Sequence, residues 1–597
     1  MEPHYSPSVF NFYEFDYAPA GVIGDAKLVS PEAQLLTGPF VIGFLNAFVS
    51  MAEVGLSFCY DGFAATDARK DAILAEGFLG ESVPNCNPIR LGSVRPTSAY
   101  WSGNLTWTPR ASVVDELAVL LTAGRLDAAS RGVIADAVAA SDDPLKLALL
   151  LFAAAPAFHA TNRPRSTDAE RDAKAAAAAT AGDDDYKAVV FVFLSGGVDT
   201  FNVLAPKDDD LYAHYAEIRG DVAIDADDLL DVATPPGSQP GDVYGLHPSL
   251  TKLQLLYEAG DAAFVANAGV MVEPVTKEEF EAKSSKVPAD IFSHNHASRM
   301  TQSLDADDLY ASGILGRLAT AAARGNVVGV TSVGDNAKAL EGGPAPPDVL
   351  HRKEGVVPFD PENVAPDGTQ AHILNLTRQM SSLYAETWSS NLEHAILSTI
   401  SLGDALETSD LATDMGAGDN TYAQAMETAA RVIAARKELG RGRDVLYYTS
   451  GGFDSHSDVD ETLRERLDDI DDALDALATE LRGQGVWNDT VVVVCSEFGR
   501  TLTSNGLGTD HGWGGHALLL GGGVAGGQIL GEYPADFSEA SELNVGRGRM
   551  IPTTPWEGLW APVATWFGVD DDDLSTVLPN IGNFPEDMIL DHAAVFR

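Results

Sequence analysis

The stretch Asp489–His516, DTVVVVCSEFGRTLTSNGLGTDHGWGGH, decides how the fold is read. Val491 to Cys495 is an unbroken apolar run rich in β-branched side chains. Such a run predicts a strand buried on both faces. It leads into Glu497, then a Gly-rich loop, then Asp510, His511 and His516 set among glycines. In parallel α/β sheets, ligands sit outside the carboxyl ends of the strands. Carboxylate and imidazole at that place are what a divalent-metal site requires. The same residues also fit a solvated loop with an incidental Asp-His pair, and this stretch by itself does not separate the two.

Two earlier stretches repeat one design. Ala188–Leu194 is an apolar run followed by Ser195-Gly-Gly-Val-Asp199, and DVLYYT at 444–449 is followed by Ser450-Gly-Gly-Phe-Asp454-Ser-His456. Glycines there permit a tight strand-to-helix turn and let backbone N–H groups approach a ligand. Two strand ends that deliver a carboxylate in the same style strengthen the metal reading. Further strands are expected at 263–267, 326–332 and within 518–530. Helices are expected to fill most of 370–440, and 340–370 reads as a long Gly- and Pro-rich loop, a candidate lid. At 458–482, Leu463, Leu467, Ile470, Leu474, Leu477 and Leu481 make one apolar helical face with Gly483 beyond its end. Strands alternating with helices through 186–568 predict an α/β domain with a mostly parallel sheet flanked by helices.

The 597 residues carry 39 basic and 87 acidic side chains, a net charge of −48. That excess argues against nucleic acid as a partner, because phosphates repel it, and against an anionic membrane surface. The acidity lies in clusters such as Asp208–Asp210, Asp225–Asp228 and Asp570–Asp573, which read as solvated surface. No apolar run is long enough to span a membrane. The N-terminus lacks the basic and apolar regions of a signal peptide. The three cysteines, Cys59, Cys86 and Cys495, show no metal-ligand spacing. Cys495 ends a buried strand and reads as a core thiol, and spacing does not decide whether Cys59 and Cys86 pair.

Ahead of the α/β domain, residues 1–161 read as mainly helical. Ser112 caps an apolar face of Leu117, Leu120 and Leu121, and Asp143-Pro144 opens another helix. Residues 162–185 are polar, then Ala-rich, then acidic, and read as a linker to the domain at 186–597.

Several motifs carry family resemblances. SPSVFNFYEFDYAPAG, SPEAQLLT and LTAGRLDAASRGVIADAV, within about 5–160, resemble the C-terminal part of domain-of-unknown-function family 1800. That resemblance implies a helical region and no known chemistry. It also suggests that the chain starts inside a longer parent, secreted or held at the cell surface.

Over about 186–595, FLSGGVDTFN, IFSHNHASRMTQSL, SGGFDSHSD, VVVVCSEFGRT, GTDHGWGG and RGRMIPTTPWEGLWAP resemble domain-of-unknown-function family 1501, of the alkaline phosphatase–sulfatase superfamily. The resemblance implies a metal-dependent hydrolase of phosphate or sulfate esters, acting on a small-molecule or glycan ester. It implies a divalent metal: zinc, calcium, magnesium or manganese. As implied ligands, Asp199 matches the first-strand Asp, and Asp454 and His456 match an Asp and His of one site. Glu497 stands where an Asp-His pair is placed, and His511 matches the late His with Asp510 beside it. Phe498 departs from the pattern, since it takes the place of a His. Ser293 stands where a nucleophile is expected, at a helix N-terminus, and His294 is a ligand or a general base. A competing reading is a non-catalytic metal-binding or structural protein that retains the fold.

Overall fold

The structure, a computed structural model, describes residues 13, 17, 19, 22–36, 38–54, 112–167 and 186–597, apart from 285, 309–310, 335–336, 354 and 357–367. Cys59, Cys86 and the linker at 168–185 lie outside the described residues. The chain divides into two compact units, 1–175 with 356–404, and 176–355 with 405–597. None of the described helices is long and apolar enough to cross a membrane.

The first unit is helical. Its helices are Gly38–Val54, Val113–Thr122, Ala128–Ala139, Pro144–Ala154 and Thr369–Leu376, with most of Leu383–Glu407. The expected caps form: Ser112 accepts from the backbone of Asp115, and Asp143 from that of Lys146 behind Pro144. Leu117, Ile134, Leu147, Leu151, Ile373 and Leu392 bury together. Residues 356–404, placed by sequence within the α/β region, cluster with these N-terminal helices.

The second unit is built on a nine-stranded mixed sheet. In chain order the strands are β1 (Lys187–Leu194), β2 (Leu204–Pro206), β3 (Leu230–Ala233), β4 (Val243–Leu246), β5 (Ala262–Gly269) and β6 (Val328–Val333). Then follow β7 (Asp348–Leu350), β8 (Arg443–Ser450), β9 (Thr490–Cys495), β10 (Gly515–Leu520), β11 (Gln528–Gly531) and β12 (Thr554–Pro555). The order is β11-β5-β10-β9-β1-β8-β6-β7, with β12 also on β5, while β2, β4 and β3 form a separate small sheet. All pairings in the large sheet are parallel except those of β10 with β5 and β9. The mostly parallel expectation therefore holds. β5 and β9 are buried along their whole length; the run Val491–Cys495 of β9 is apolar throughout, and Asn267, the polar residue in β5, is buried with hydrogen bonds to Ile551 and Thr553.

Helix Val459–Gly483 buries all six residues of its predicted apolar face. Each such leucine or isoleucine contributes about 1.5–3 kcal/mol on burial. The helix runs through Gly483 rather than stopping before it. The left-handed turn falls instead at Gly485, whose φ is +74°.

The central strands set up the site. β1 pairs with β8 on one side and β9 on the other, in register up to Leu194↔Ser450 and Phe193↔Cys495. The two Ser-Gly-Gly turns and the Ser496-Glu497 turn therefore leave the sheet side by side. The chain crosses from β1 to β5 on one side and returns to β6 and β8 on the other, the kind of switch that opens a crevice at the strand ends.

Away from that edge, Glu557 is 2% exposed in the helix Trp556–Phe567. Burial pushes its carboxyl up to about 8; nearby Asp305 adds to this and Arg317 opposes it. An acid whose folded pKa is raised is destabilising once the unfolded chain ionises. Stability attributable to its neutral form is thus present below about pH 4.5 and is lost as pH rises toward 8. Glu557→Gln should therefore stabilise the chain at pH 8, relative to its effect at pH 4.5, by on the order of 4 kcal/mol. Urea unfolding of both proteins at the two pH values checks this, and an equal difference at both would show that Glu557 is not held neutral.

Candidate metal centre

Two glycines make the junction of the strand ends possible. Gly196 and Gly197 have φ of +121° and +73°. A Cβ on Gly196 would meet Asp454 N at 2.7 Å, and one on Gly197 would meet the Phe498 ring at 2.3 Å. Gly196 N donates to Glu497 Oε1 at 2.9 Å, which ties the turn after β1 to the turn after β9.

Beyond these turns three histidines converge on Asp454. His456 Nε2 and His511 Nε2 lie 3.0 and 3.1 Å from Asp454 Oδ1, and His294 Nε2 lies 3.4 Å from Oδ2. Ligand atoms of His294, Asp454 and His511 fall within 4.8 Å of one another. His456 Nε2 is 3.1 Å from His511 Nε2. Tetrahedral ligands at about 2.0 Å from a cation are separated by about 3.3 Å, close to the spacings among Asp454 Oδ1, His456 Nε2 and His511 Nε2.

The other ring nitrogen of each histidine is held. His511 Nδ1 lies 2.7 Å from the carbonyl of Phe292. A carbonyl only accepts, so Nδ1 carries the proton and the neutral ring turns a bare Nε2 to the cluster. His294 Nδ1 donates to Glu497 Oε1 at 2.8 Å, and His456 Nδ1 to Asp510 Oδ1 at 2.8 Å. Imidazole fixed through Nδ1 by a carboxylate or carbonyl is how metal-binding histidines are oriented. His294 Nε2 is buried and makes no hydrogen bond. Two bare Nε2 lone pairs 3.1 Å apart repel each other unless a proton or cation lies between them. The residues present thus fit a divalent cation.

Burial raises the Asp454 pKa, but the hydrogen bond and charge of Arg500, with His294 and His456, outweigh it and hold the carboxyl ionised. Arg500 is 1% exposed and donates from Nη1 to Asp454 Oδ1 at 2.8 Å. Asp510 is pulled far below its usual range, first by Asn505, then against some burial by His456 and Arg547. The hydrogen bond to Glu497 raises His294, whereas burial lowers His511.

The sequence-predicted residues separate into three groups. Asp454, His456 and His511 face the cluster directly, with His294. Glu497, 1% exposed, and Asp510 stand behind histidines and orient them. Asp199 stands apart: it is fully buried, and Arg219, itself fully buried, donates to its Oδ2 at 2.6 Å. Thr509 Oγ1 lies 3.3 Å from the same oxygen. Ser293 is the N-cap residue of the helix His294–Ser303 and makes no capping bond with its side chain. Phe498, in place of a histidine, packs its ring 5.1 and 4.9 Å from those of His294 and His511 and walls the cluster. His516 is a core residue. Its Nδ1 accepts from Asn267 N, Tyr533 stacks on it, and burial lowers its pKa to about 3.

Arg500, Arg219, Arg547 and Arg549 had no role in the sequence reading. The signal that could have raised them is the presence of arginines close to the acidic and imidazole motifs in a chain this acidic.

The cluster remains accessible, with the side chains of His456 and Asp454 47% and 43% exposed. No curated protein matches the chain. Among solved structures, one match is the lipoteichoic acid synthase LtaP from Listeria monocytogenes, 8% identical over 68% of this chain and 76% of that chain, with a TM-score of 0.27. That likeness is too distant to carry over any residue or activity. The model of a family described as protein of unknown function (DUF1501) matches residues 186–553, through both Gly-Gly turns and every residue of the cluster, and the chain belongs to that family.

Proposed function

We propose that the second unit is a metal-dependent hydrolase of phosphate or sulfate esters, with a single divalent ion held by Asp454, His294, His456 and His511. The observation that carries this reading is the common orientation of the three histidines, each anchored at Nδ1 with Nε2 turned to Asp454. Three imidazole nitrogens and one carboxylate oxygen favour zinc over calcium or magnesium, which prefer all-oxygen sets. One ion rather than two is the simpler reading, because the Arg219 guanidinium already neutralises Asp199.

When bound, the ion supplies Lewis-acid polarisation of an ester oxygen and lowers the pKa of a coordinated water. The chain's own residues do the rest. Glu497 and Asp510 keep His294 and His456 from rotating. Arg500 keeps Asp454 ionised. Phe498 shields one side of the cluster from water. Ser293, at the N-terminus of the helix that begins with His294, is the candidate nucleophile, since backbone N–H groups and the helix dipole favour an alkoxide there. A specific feature favours a second reading, of a metal-binding protein without turnover: Phe498 fills a position where the superfamily pattern has a ligand.

Two outcomes are expected. Metal analysis of the purified chain should find one zinc, and His511→Ala or His456→Ala should weaken zinc binding at least 100-fold. Asp199→Ala should leave the zinc stoichiometry unchanged but destabilise the fold by about 3–5 kcal/mol, because it strands a buried guanidinium. Loss of zinc in the Asp199 variant alone would reassign the site.

In the second test, aryl phosphate and aryl sulfate are offered with zinc and with a chelator. Chelator-sensitive turnover that falls at least 100-fold in Ser293→Ala, with zinc binding retained, supports the hydrolase. Zinc binding without turnover of either ester supports the non-catalytic reading.

A further inference from the structure

Arg547 and Arg549 lie on a rigid turn beside the metal cluster. Asn544, 1% exposed, pins this turn. Its Nδ2 donates to the carbonyls of Phe537 and Ser538, and its Oδ1 accepts from Gly546 N and Gly548 N. Arg547 N donates to Glu539 Oε1 at 2.8 Å. Arg547 itself has φ of +61°. A long side chain in the left-handed region is strained, and such strain gathers at binding and catalytic sites. Gly548 is needed for the approach, since a Cβ there would meet Leu502 Cβ at 2.4 Å.

The turn sets two guanidinium groups against the cluster. Arg547 Nη2 donates to Asp510 Oδ2, on the carboxylate that holds His456. Arg549 donates from Nε to the carbonyl of His511 at 2.9 Å, and its guanidinium lies 4.6 Å from the centre of the Phe292 ring. Its two Nη atoms have no protein acceptor among the described residues. The two arginines leave one turn toward the same face of the cluster, in a chain of net charge −48 where cations are scarce. Among the described residues only Asp510 pairs its side chain with either guanidinium, and it is already engaged by His456 and Asn505.

We propose that Arg547 and Arg549 form an anion-binding fork that grips an oxyanion of the substrate, a phosphate or sulfate group, beside the metal. Arginine suits this role because its planar N–H pairs match the oxygens of such groups two at a time. The fork rests on the hydrolase reading for the identity of the ester, yet it consists of this chain's own cations and binds an oxyanion with or without metal. Substrates that carry a charged oxyanion therefore bind more tightly than neutral esters of the same size.

Inorganic phosphate and inorganic sulfate are titrated calorimetrically, at low ionic strength, into the full chain without metal and with zinc. The expected result is binding of at least one oxyanion in both forms, weakened at least 10-fold by Arg549→Gln and less by Arg549→Lys, which keeps the charge but loses the fork. Arg547→Gln should also weaken it. Arg324→Gln, whose arginine pairs with Asp573 on the surface, should not. Thermal midpoints and zinc affinity of each variant show that the fold and the cluster persist. Equal affinity in wild type and Arg549→Gln, or no oxyanion binding in either form, overturns the fork. If zinc does not bind while phosphate binding still depends on Arg549, the metal reading falls and the fork stands.

Discussion

The parallel register of β9, β1 and β8 is the constraint on which the rest depends. Because β1 is paired at equal depth with both neighbours, three turns leave the same edge of the sheet side by side. Each carries a charged residue, and two carry glycines that let backbones come closer than a Cβ would allow. A slip by one residue would turn each β1 side chain to the opposite, equally buried face of the sheet and part Gly196 N from Glu497. The hydrogen bond between that amide and that carboxylate is the join between the fold and the chemistry, since the same oxygen receives His294 Nδ1.

Charge is distributed unevenly about this edge. The protein is strongly acidic, yet Arg219 and Arg500 are buried beside the strand ends and Arg547 and Arg549 flank them. Burying a guanidinium is costly unless it is paired and its hydrogens are used. Arg219 meets Asp199 and the carbonyl of Thr501, while Arg500 meets Asp454, Gly196 and Thr509. Asp199 and Asp454 come from equivalent Gly-Gly turns but reach opposite outcomes. Asp199 spends its charge on a fully buried arginine. Asp454 shares Arg500 with an open face, where three imidazoles leave room for a second cation.

The parts legible in sequence were those with local causes. The apolar runs of β1, β8 and β9 signal burial through composition alone, and the six-residue face of helix Val459–Gly483 through its period. Asp454, His456 and His511 could be singled out because they follow strands among glycines. What stayed hidden was set by distant partners. The bond from His294 to Glu497 spans 203 residues, and nothing near either one announces it. Asp199 was matched to a metal ligand through the family resemblance; its ion pair with Arg219, on a helix whose pattern is unremarkable, has no local signal in its turn. Short strands such as β7, and the three that form the small sheet, have too few residues for alternation to register.

The position of the histidines' second nitrogens also bears on how the site is kept from collapsing. A cluster of three imidazoles and a carboxylate could satisfy itself by rotating one ring so that an N–H meets Asp454. Each ring is prevented from doing so by an acceptor that exists for other reasons: Phe292 O belongs to the segment that starts a helix, Glu497 caps the turn after β1, and Asp510 is gripped by Asn505 and Arg547. Rotation of any ring would take a hydrogen-bond donor away from one of those acceptors. The arrangement therefore keeps the Nε2 atoms turned toward Asp454, because each rotation gives up a hydrogen bond at Nδ1. Preorganisation of this kind is what a cation-binding site needs and what a chance meeting of polar loop residues lacks.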